Sequence, residues 1–273
     1  MSGNNIVPKS RQWAVQMYTV RDFTATGKDF SDTLQKIARM GYTGVQISAA
    51  KAVESGELSA KVVRQMLDDN GLVCAATHRS WQALGEQTDA EIEFHRTLGC
   101  DFIAIGSLPG LFGGNLGADG YRRFVAEAKP VIERLQSAGI RFGYHNHQHE
   151  FARADVGSRD KSTLFDIFVD EAGADLCLEL DVYWAWEAGV DPVALLRRSA
   201  GRLPLIHLKD REVVAGKGAI MAAIGEGNMP WETILPAGDE AGVEWYAVEQ
   251  DVCPRDPFDC LRSSFEYLSS RPF

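Results

Sequence analysis

Eight short apolar runs, each followed by a longer stretch of helical character, constrain this chain more than any other feature. The runs are Trp13–Tyr18, Gly44–Ile47, Val73–Thr77, Phe102–Gly106, Arg141–His147, Leu176–Asp181, Leu205–Leu208 and Trp245–Glu249. Between them lie amphipathic segments such as Asp32–Met40, Ala60–Asn70, Ala90–Leu98, Tyr121–Ala138 and Asp191–Ser199. Gly41, Gly71, Gly99, Gly139 and Gly201 follow these patterns, where a left-handed cap suits a residue without Cβ. Strict strand–helix alternation implies parallel strands, because each crossover returns the chain to the same end. Eight such units favour a closed barrel. An open doubly wound sheet would usually carry a glycine-rich phosphate turn after its first strand, and here that strand ends Gln16-Met17-Tyr18-Thr19-Val20-Arg21. The expectation is a (β/α)₈ TIM barrel spanning residues 1–273 as one domain, since no linker or low-complexity break divides the chain.

Composition narrows the partners. The net charge of -10 repels phosphate backbones and anionic lipid, so neither nucleic acid nor a membrane is expected as a partner. The N-terminus lacks an apolar signal region and no stretch is long enough to span a bilayer, which points to the cytoplasm. The five cysteines show no CxxC spacing and read as free, largely buried thiols.

Active sites of such barrels lie at the C-terminal ends of the strands. Here those ends carry Gln16 and Tyr18, Gln46, His78, His145 and His147, Asp181, His207 and Lys209, and Glu249. Side chains two apart share a face, so Cys177, Glu179 and Asp181 should point inward on the sixth strand. His207 and Lys209 should do so on the seventh, and Glu249 on the eighth. Three consecutive strands then aim Asp, His and Glu at one opening, a donor set suited to one Mn, Co, Mg or Zn ion. A lone buried histidine is more often a satisfied core residue, and a lone strand-end Asp a helix cap. Clustering shifts the balance, because a cation relieves the repulsion among carboxylates. The fifth segment, Gly143-Tyr144-His145-Asn146-His147-Gln148-His149-Glu150-Phe151, holds three of the six histidines, with His145 and His147 directed inward.

Several passages together resemble the xylose isomerase-like TIM barrel superfamily, and within it the sugar phosphate isomerase/epimerase group. They are Val15-Gln16-Met17-Tyr18-Thr19-Val20-Arg21-Asp22, Gly143-Tyr144-His145-Asn146-His147, Glu179-Leu180-Asp181-Val182-Tyr183-Trp184, Leu205-Ile206-His207-Leu208-Lys209-Asp210, Gly225-Glu226-Gly227-Asn228-Met229-Pro230-Trp231 and Val248-Glu249-Gln250-Asp251. The resemblance implies one divalent ion held by Asp181, His207 and Glu249. The fourth ligand is expected to be Glu150, reaching back from the loop, with His145 or His147 as alternatives. Gln46 stands where many relatives carry a glutamate, and an amide there still hydrogen-bonds a hydroxyl.

The implied substrate is a small sugar, ketose or polyol derivative. An ion chelated by a carbonyl and its neighbouring hydroxyl acidifies the C–H between them. Glu249 is the expected ligand and base, with Glu150 or His147 as its acid/base partner, and His145 as a shuttle. Lys209 holds an oxyanion or pairs with Asp181 or Glu179. Tyr18, Gln46, His78 and Trp184 are the expected substrate contacts. Isomerisation, epimerisation and elimination by a lyase or dehydratase all start from that proton abstraction. Cleavage of abasic DNA, also known in the superfamily, conflicts with the acidic charge, and a non-catalytic sugar-binding barrel conflicts with the intact ligand set. Gly216, Gly218, Gly225 and Gly227 suggest a mobile loop over the site. Association into a homo-oligomer through the outer helices or long loops is compatible with such a barrel.

Overall fold

A computed structural model describes residues 11–110, 117–155 and 162–272. The strands are β1 (Gln12–Gln16), β2 (Gly44–Ile47), β3 (Val73–His78), β4 (Phe102–Ile105), β5 (Arg141–His145), β6 (Cys177–Asp181), β7 (Leu205–Leu208), β8 (Asp210–Val214), β9 (Gly218–Ala222) and β10 (Trp245–Val248). All but β8 and β9 close into one parallel barrel in the order β1-β10-β7-β6-β5-β4-β3-β2. The expected eighth barrel strand is therefore β10. The helices are α1 (Gly27–Met40), α2 (Lys51–Glu54), α3 (Ala60–Asp69), α4 (Trp81–Glu86), α5 (Thr88–Leu98) and α6 (Gly117–Ser137). They continue with α7 (Leu164–Ala172), α8 (Val182–Glu187), α9 (Pro192–Arg198), α10 (Trp231–Ala241) and α11 (Pro257–Ser270).

Helix α1 shows how local sequence sets these boundaries. Thr26 and Asp29 form a reciprocal capping box, and Gly41 ends the helix at φ 106°, where a Cβ would be strained. Phe30, Leu34 and Ile37 lie on one face and are buried. The other four glycines expected at helix ends also have positive φ.

Alternation along the strands sorts two cores. Outward-facing Val15, Val45, Tyr144, Leu178, Leu180, Ile206, Leu208, Tyr246 and Val248 join the large core beneath the helices. Inward-facing Ala14, Ala76, Phe102, Ala104, Leu205 and Ala247 fill the barrel floor. Gly143 lies in that lower layer; a Cβ there would stand 2.6 Å from the Phe102 ring, so the glycine makes room for the aromatic plug. Above the floor the inward row turns polar, and parallel register sets the neighbours. His145 pairs with Glu179 across β5 and β6, and Asp181 pairs with His207 across β6 and β7.

The glycine-rich stretch after β7, expected as a mobile loop, carries regular structure: β8 and β9 form an antiparallel hairpin in register from Asp210↔Ala222 to Val214↔Gly218. Gly216 and Gly218, at φ 78° and 84°, make its turn. Asp210 anchors the segment. Its buried carboxylate accepts from the backbone N–H of Arg211, Gly225, Gly227 and Met229 and from Trp231 Nε1. A carboxylate with that many donors is well compensated for burial. No helix among the described residues is long and apolar enough to cross a membrane.

Candidate active site

A cavity of about 650 Å³ opens at the C-terminal mouth of the barrel, a size that suits a small-molecule ligand. Tyr18, Ser48, His78, His145, His147, Trp184, Lys209 and Glu249 line it, as does Asp251, which was not among the residues expected at the strand ends. Alternation beyond β10 was the available signal, because Asp251 lies two residues past Glu249. Ala49, also in the lining, turns the chain at the end of β2 with φ 50°, a left-handed conformation unusual for a residue with Cβ.

Asp181, His207 and Glu249 present ligand atoms within 4.8 Å of one another and are all buried. His207 is held by its far nitrogen: Nε2 lies 2.6 Å from Gln46 Oε1 and 3.0 Å from Glu179 Oε1, so the N–H donates there. That leaves Nδ1 facing Glu249 Oε2 at 2.9 Å and Asp181 Oδ2 at 3.8 Å. These three atoms have no hydrogen-bond partner among the described residues, and His145 Nδ1 and His147 Nδ1 share that condition. Lys209 Nζ stands 3.0 Å from Asp181 Oδ2 and 2.8 Å from Glu249 Oε2, at ion-pair distance but off the direction of a hydrogen bond. It reaches Asp251 as well, at 3.0 Å. Two buried carboxylate oxygens and an imidazole nitrogen converging here without hydrogen-bond geometry form a donor set that a cation satisfies, displacing any proton on the ring.

Asp181 is itself firmly placed. Its Oδ1 accepts from Trp184 N and caps α8, leaving Oδ2 for the mouth. Asn146 clasps its backbone from β5, accepting from Asp181 N at 3.0 Å and donating to its carbonyl.

Beneath this cluster Glu179 is ringed by imidazoles. One oxygen faces His78 Nε2 and His207 Nε2, and the other accepts from Gln46 Nε2 at 2.6 Å. Gln46 was expected to touch substrate. Fully buried, with both ends of its amide engaged by Glu179 and His207, it instead orients the histidine. Such carboxylate–histidine pairs behind a donor nitrogen fix its tautomer.

Glu150, expected as the fourth ligand, lies outside the Asp181–His207–Glu249 group and clusters with His147 and His149. It accepts from Tyr144 Oη at 2.6 Å and His147 N at 2.7 Å, with His149 Nε2 at 2.9 Å. The carboxylate locks the turn after β5. The donors that β5 does offer to the mouth are His145 and His147.

Electrostatics follow from this packing. Burial penalises a charged His207, yet Glu179 and Glu249 outweigh it and hold its pKa well above 6.5. Burial pushes His145 well below that value, helped by His207 and Lys209, and lowers His147 too. Glu179 and Glu249 stay ionised despite burial, held down by His78 and His207 in one case and by Lys209 and His207 in the other. Burial, then the Glu249 charge, raises Asp251 to about 6.

With fold and donors in view, comparison with known proteins is decisive. A family profile described as xylose isomerase-like TIM barrel matches residues 34–268. The chain belongs to that family. Curated protein sequences give no match. Among solved structures, a sugar phosphate isomerase/epimerase from Parabacteroides distasonis ATCC 8503 is similar at TM-score 0.79 and 24% identity, covering 98% of this chain and 96% of that one. The probable 3-DHS dehydratase AsbF from Bacillus anthracis aligns at TM-score 0.70 and 16% identity, over 96% and 100% of the two chains. The IOLI protein with a binding zinc atom aligns at 0.69 and 13%, over 95% and 97%. At these identities the structures share the family's fold; the chemistry has to be argued from the mouth of this barrel.

Proposed function

We propose that this family member is a divalent-metal-dependent isomerase or epimerase of a ketose or keto-sugar. The observation that carries the reading is the convergence of Asp181 Oδ2, His207 Nδ1 and Glu249 Oε2, buried and without hydrogen-bond partners, at the mouth. These residues would hold a Mn, Co, Mg or Zn ion, with the fourth donor from His145 or His147 in place of Glu150. Such an ion supplies Lewis acidity to a carbonyl oxygen and acidifies the neighbouring C–H. The relative solved with zinc supports a metal in this fold.

The chain's own groups do the rest. Trp184 and Tyr18 offer faces for a sugar ring, and Ser48 and His78 offer polar atoms for its hydroxyls. Whichever of His145 and His147 leaves the ion alone retains an unpartnered Nδ1, able to take the proton from carbon. Returning it to the adjacent carbon, as the hydroxyl proton passes to the former carbonyl oxygen, isomerises the sugar; return of a proton to the original carbon from the opposite face epimerises it. Lys209, held by Asp181, Glu249 and Asp251, keeps a positive charge beside the developing oxyanion.

Elimination is the second reading. His145 and His147 stand edge to face with ring centroids 4.8 Å apart, so the proton that one neutral imidazole takes from carbon can be handed on by the resulting imidazolium to a departing oxygen, which leaves as water. The two readings separate by mass. Ketoses incubated with ion-loaded protein in D₂O should gain deuterium next to the carbonyl and keep their skeleton, and chelation should stop this. A product lighter by water would select the dehydratase, and no exchange with any ketose or keto-glycoside would overturn both.

A further inference from the structure

The charges at the mouth bear on the substrate's own charge, a point that rests on the mouth being the substrate site as proposed above. We propose that the cavity selects an uncharged polyhydroxy substrate, a free sugar or its glycoside, against the corresponding phosphate ester, and that Glu54 on the rim enforces the choice.

Phosphate esters are recognised by available cations or open helix N-termini. Two cationic side chains line the described cavity, Arg79 and Lys209. Both are already neutralised. Arg79 makes a bidentate pair with Glu91, at 2.7 Å from Nε and 2.5 Å from Nη2. Lys209 is fully buried and faces three carboxylates within 3.0 Å. Of the helices that start at this end, α4 and α8 are capped by Ser80 and Asp181, and α2, which has no side-chain cap, is a single turn that carries Glu54.

The remaining lining charge has the opposite sign. Glu54, at the end of α2, is exposed and lines the cavity, and its carboxylate has no ion-pair or hydrogen-bond partner among the described residues. Glu249 and Asp251 are taken up by Lys209, so Glu54 is the uncompensated charge among the described lining residues. Among the described residues a phosphate dianion brought here meets an anionic rim and no free donor cation, whereas hydroxyl groups meet Ser48, Ser107, Tyr18 and His78. A single divalent ion at the Asp181 cluster compensates the carboxylates holding it and adds no cation at the rim.

Binding separates this proposal from the catalytic one. Trp184 lines the cavity, so its fluorescence reports occupancy, with Trp184→Phe identifying its share of the signal. Matched probes are titrated into the full chain: D-fructose against fructose 6-phosphate, D-ribulose against ribulose 5-phosphate, and inorganic phosphate alone. The free sugar of at least one pair should bind at least about tenfold more tightly than its ester, and inorganic phosphate should give no saturable signal. Glu54→Lys, on an exposed position, should narrow the free-to-ester ratio about tenfold, and salt should blunt that change. Tighter binding of the esters, binding of no free sugar, or a ratio unmoved by Glu54→Lys overturns the proposal. Deuterium exchange on the same sugars reports the catalytic reading independently: binding with this selectivity but without exchange removes the isomerase and keeps the neutral-ligand site.

Discussion

Two buried histidine sites, some distance apart in the same barrel, show what separates structure from function here. His95 on α5 packs against the outside of β3, and His207 on β7 points into the mouth; both are fully buried. Around His95 every demand is met. Nδ1 donates to the Glu91 carbonyl at 2.7 Å, and Nε2 accepts from Thr77 Oγ1 at 2.7 Å. Burial keeps that imidazole neutral, with its pKa lowered to about 4. At His207 Nε2 is equally well held, but Nδ1 faces two carboxylate oxygens at ion-pair distance without hydrogen-bond geometry to either. Burial alone carries no functional information; the unmet half of the ring does.

The comparison breaks first under His207→Ala. That variant, like Asp181→Asn, should lose the bound ion by elemental analysis and about a thousandfold or more in activity, with the far-ultraviolet circular dichroism unchanged. His95→Leu should keep both ion and activity; losing them would erase the distinction drawn here.

Acid titration sharpens it next. In the unfolded chain His95 takes its proton near 6.5, but in the fold only near 4. Its neutral state therefore contributes fully above 6.5, and the contribution is lost as pH falls toward 4, roughly 3 kcal/mol across that window. Urea unfolding at pH 7 and pH 4 should show this loss in the wild type, and a correspondingly smaller one in His95→Leu.

A smaller effect tests the support behind His207. Glu179→Gln leaves the ligand atoms in place but removes the carboxylate that fixes the ring, so ion affinity measured by calorimetry should weaken 10- to 100-fold, on the order found for such supporting groups. Unchanged affinity would leave Gln46 as the sole orienting partner. Least of all, Thr77→Val should cost about 1 kcal/mol in thermal or urea unfolding and leave ion binding untouched.

The barrel was legible because its signal is repetitive: strand–helix alternation survives small errors at each boundary, and β2 and β7 coincide with their expected ranges. Inward-facing Glu179, Asp181 and His207 followed from period-two alternation. What sequence could not supply was the order of partners across the barrel. Gln46 looks like a substrate contact until β6 brings Glu179 against it, and Glu150 looks like a ligand until Tyr144, in β5's outward row directly before His145, is seen to donate to its carboxylate. Short, loop-bound glutamates have no periodicity to betray their direction. The β8–β9 hairpin was hidden for a related reason, since its glycines mark a turn as readily as a flexible lid.

Asp210 has a consequence for anyone recombining barrels of this family. Because one carboxylate gathers backbone N–H groups from Arg211 to Met229 and the Trp231 indole, the hairpin and the turn behind it behave as a cassette fastened chiefly at a rivet immediately after Lys209. Transplanted with its aspartate and its tryptophan, that cassette should carry its shape to a new host; cut between them, it arrives as loose thread.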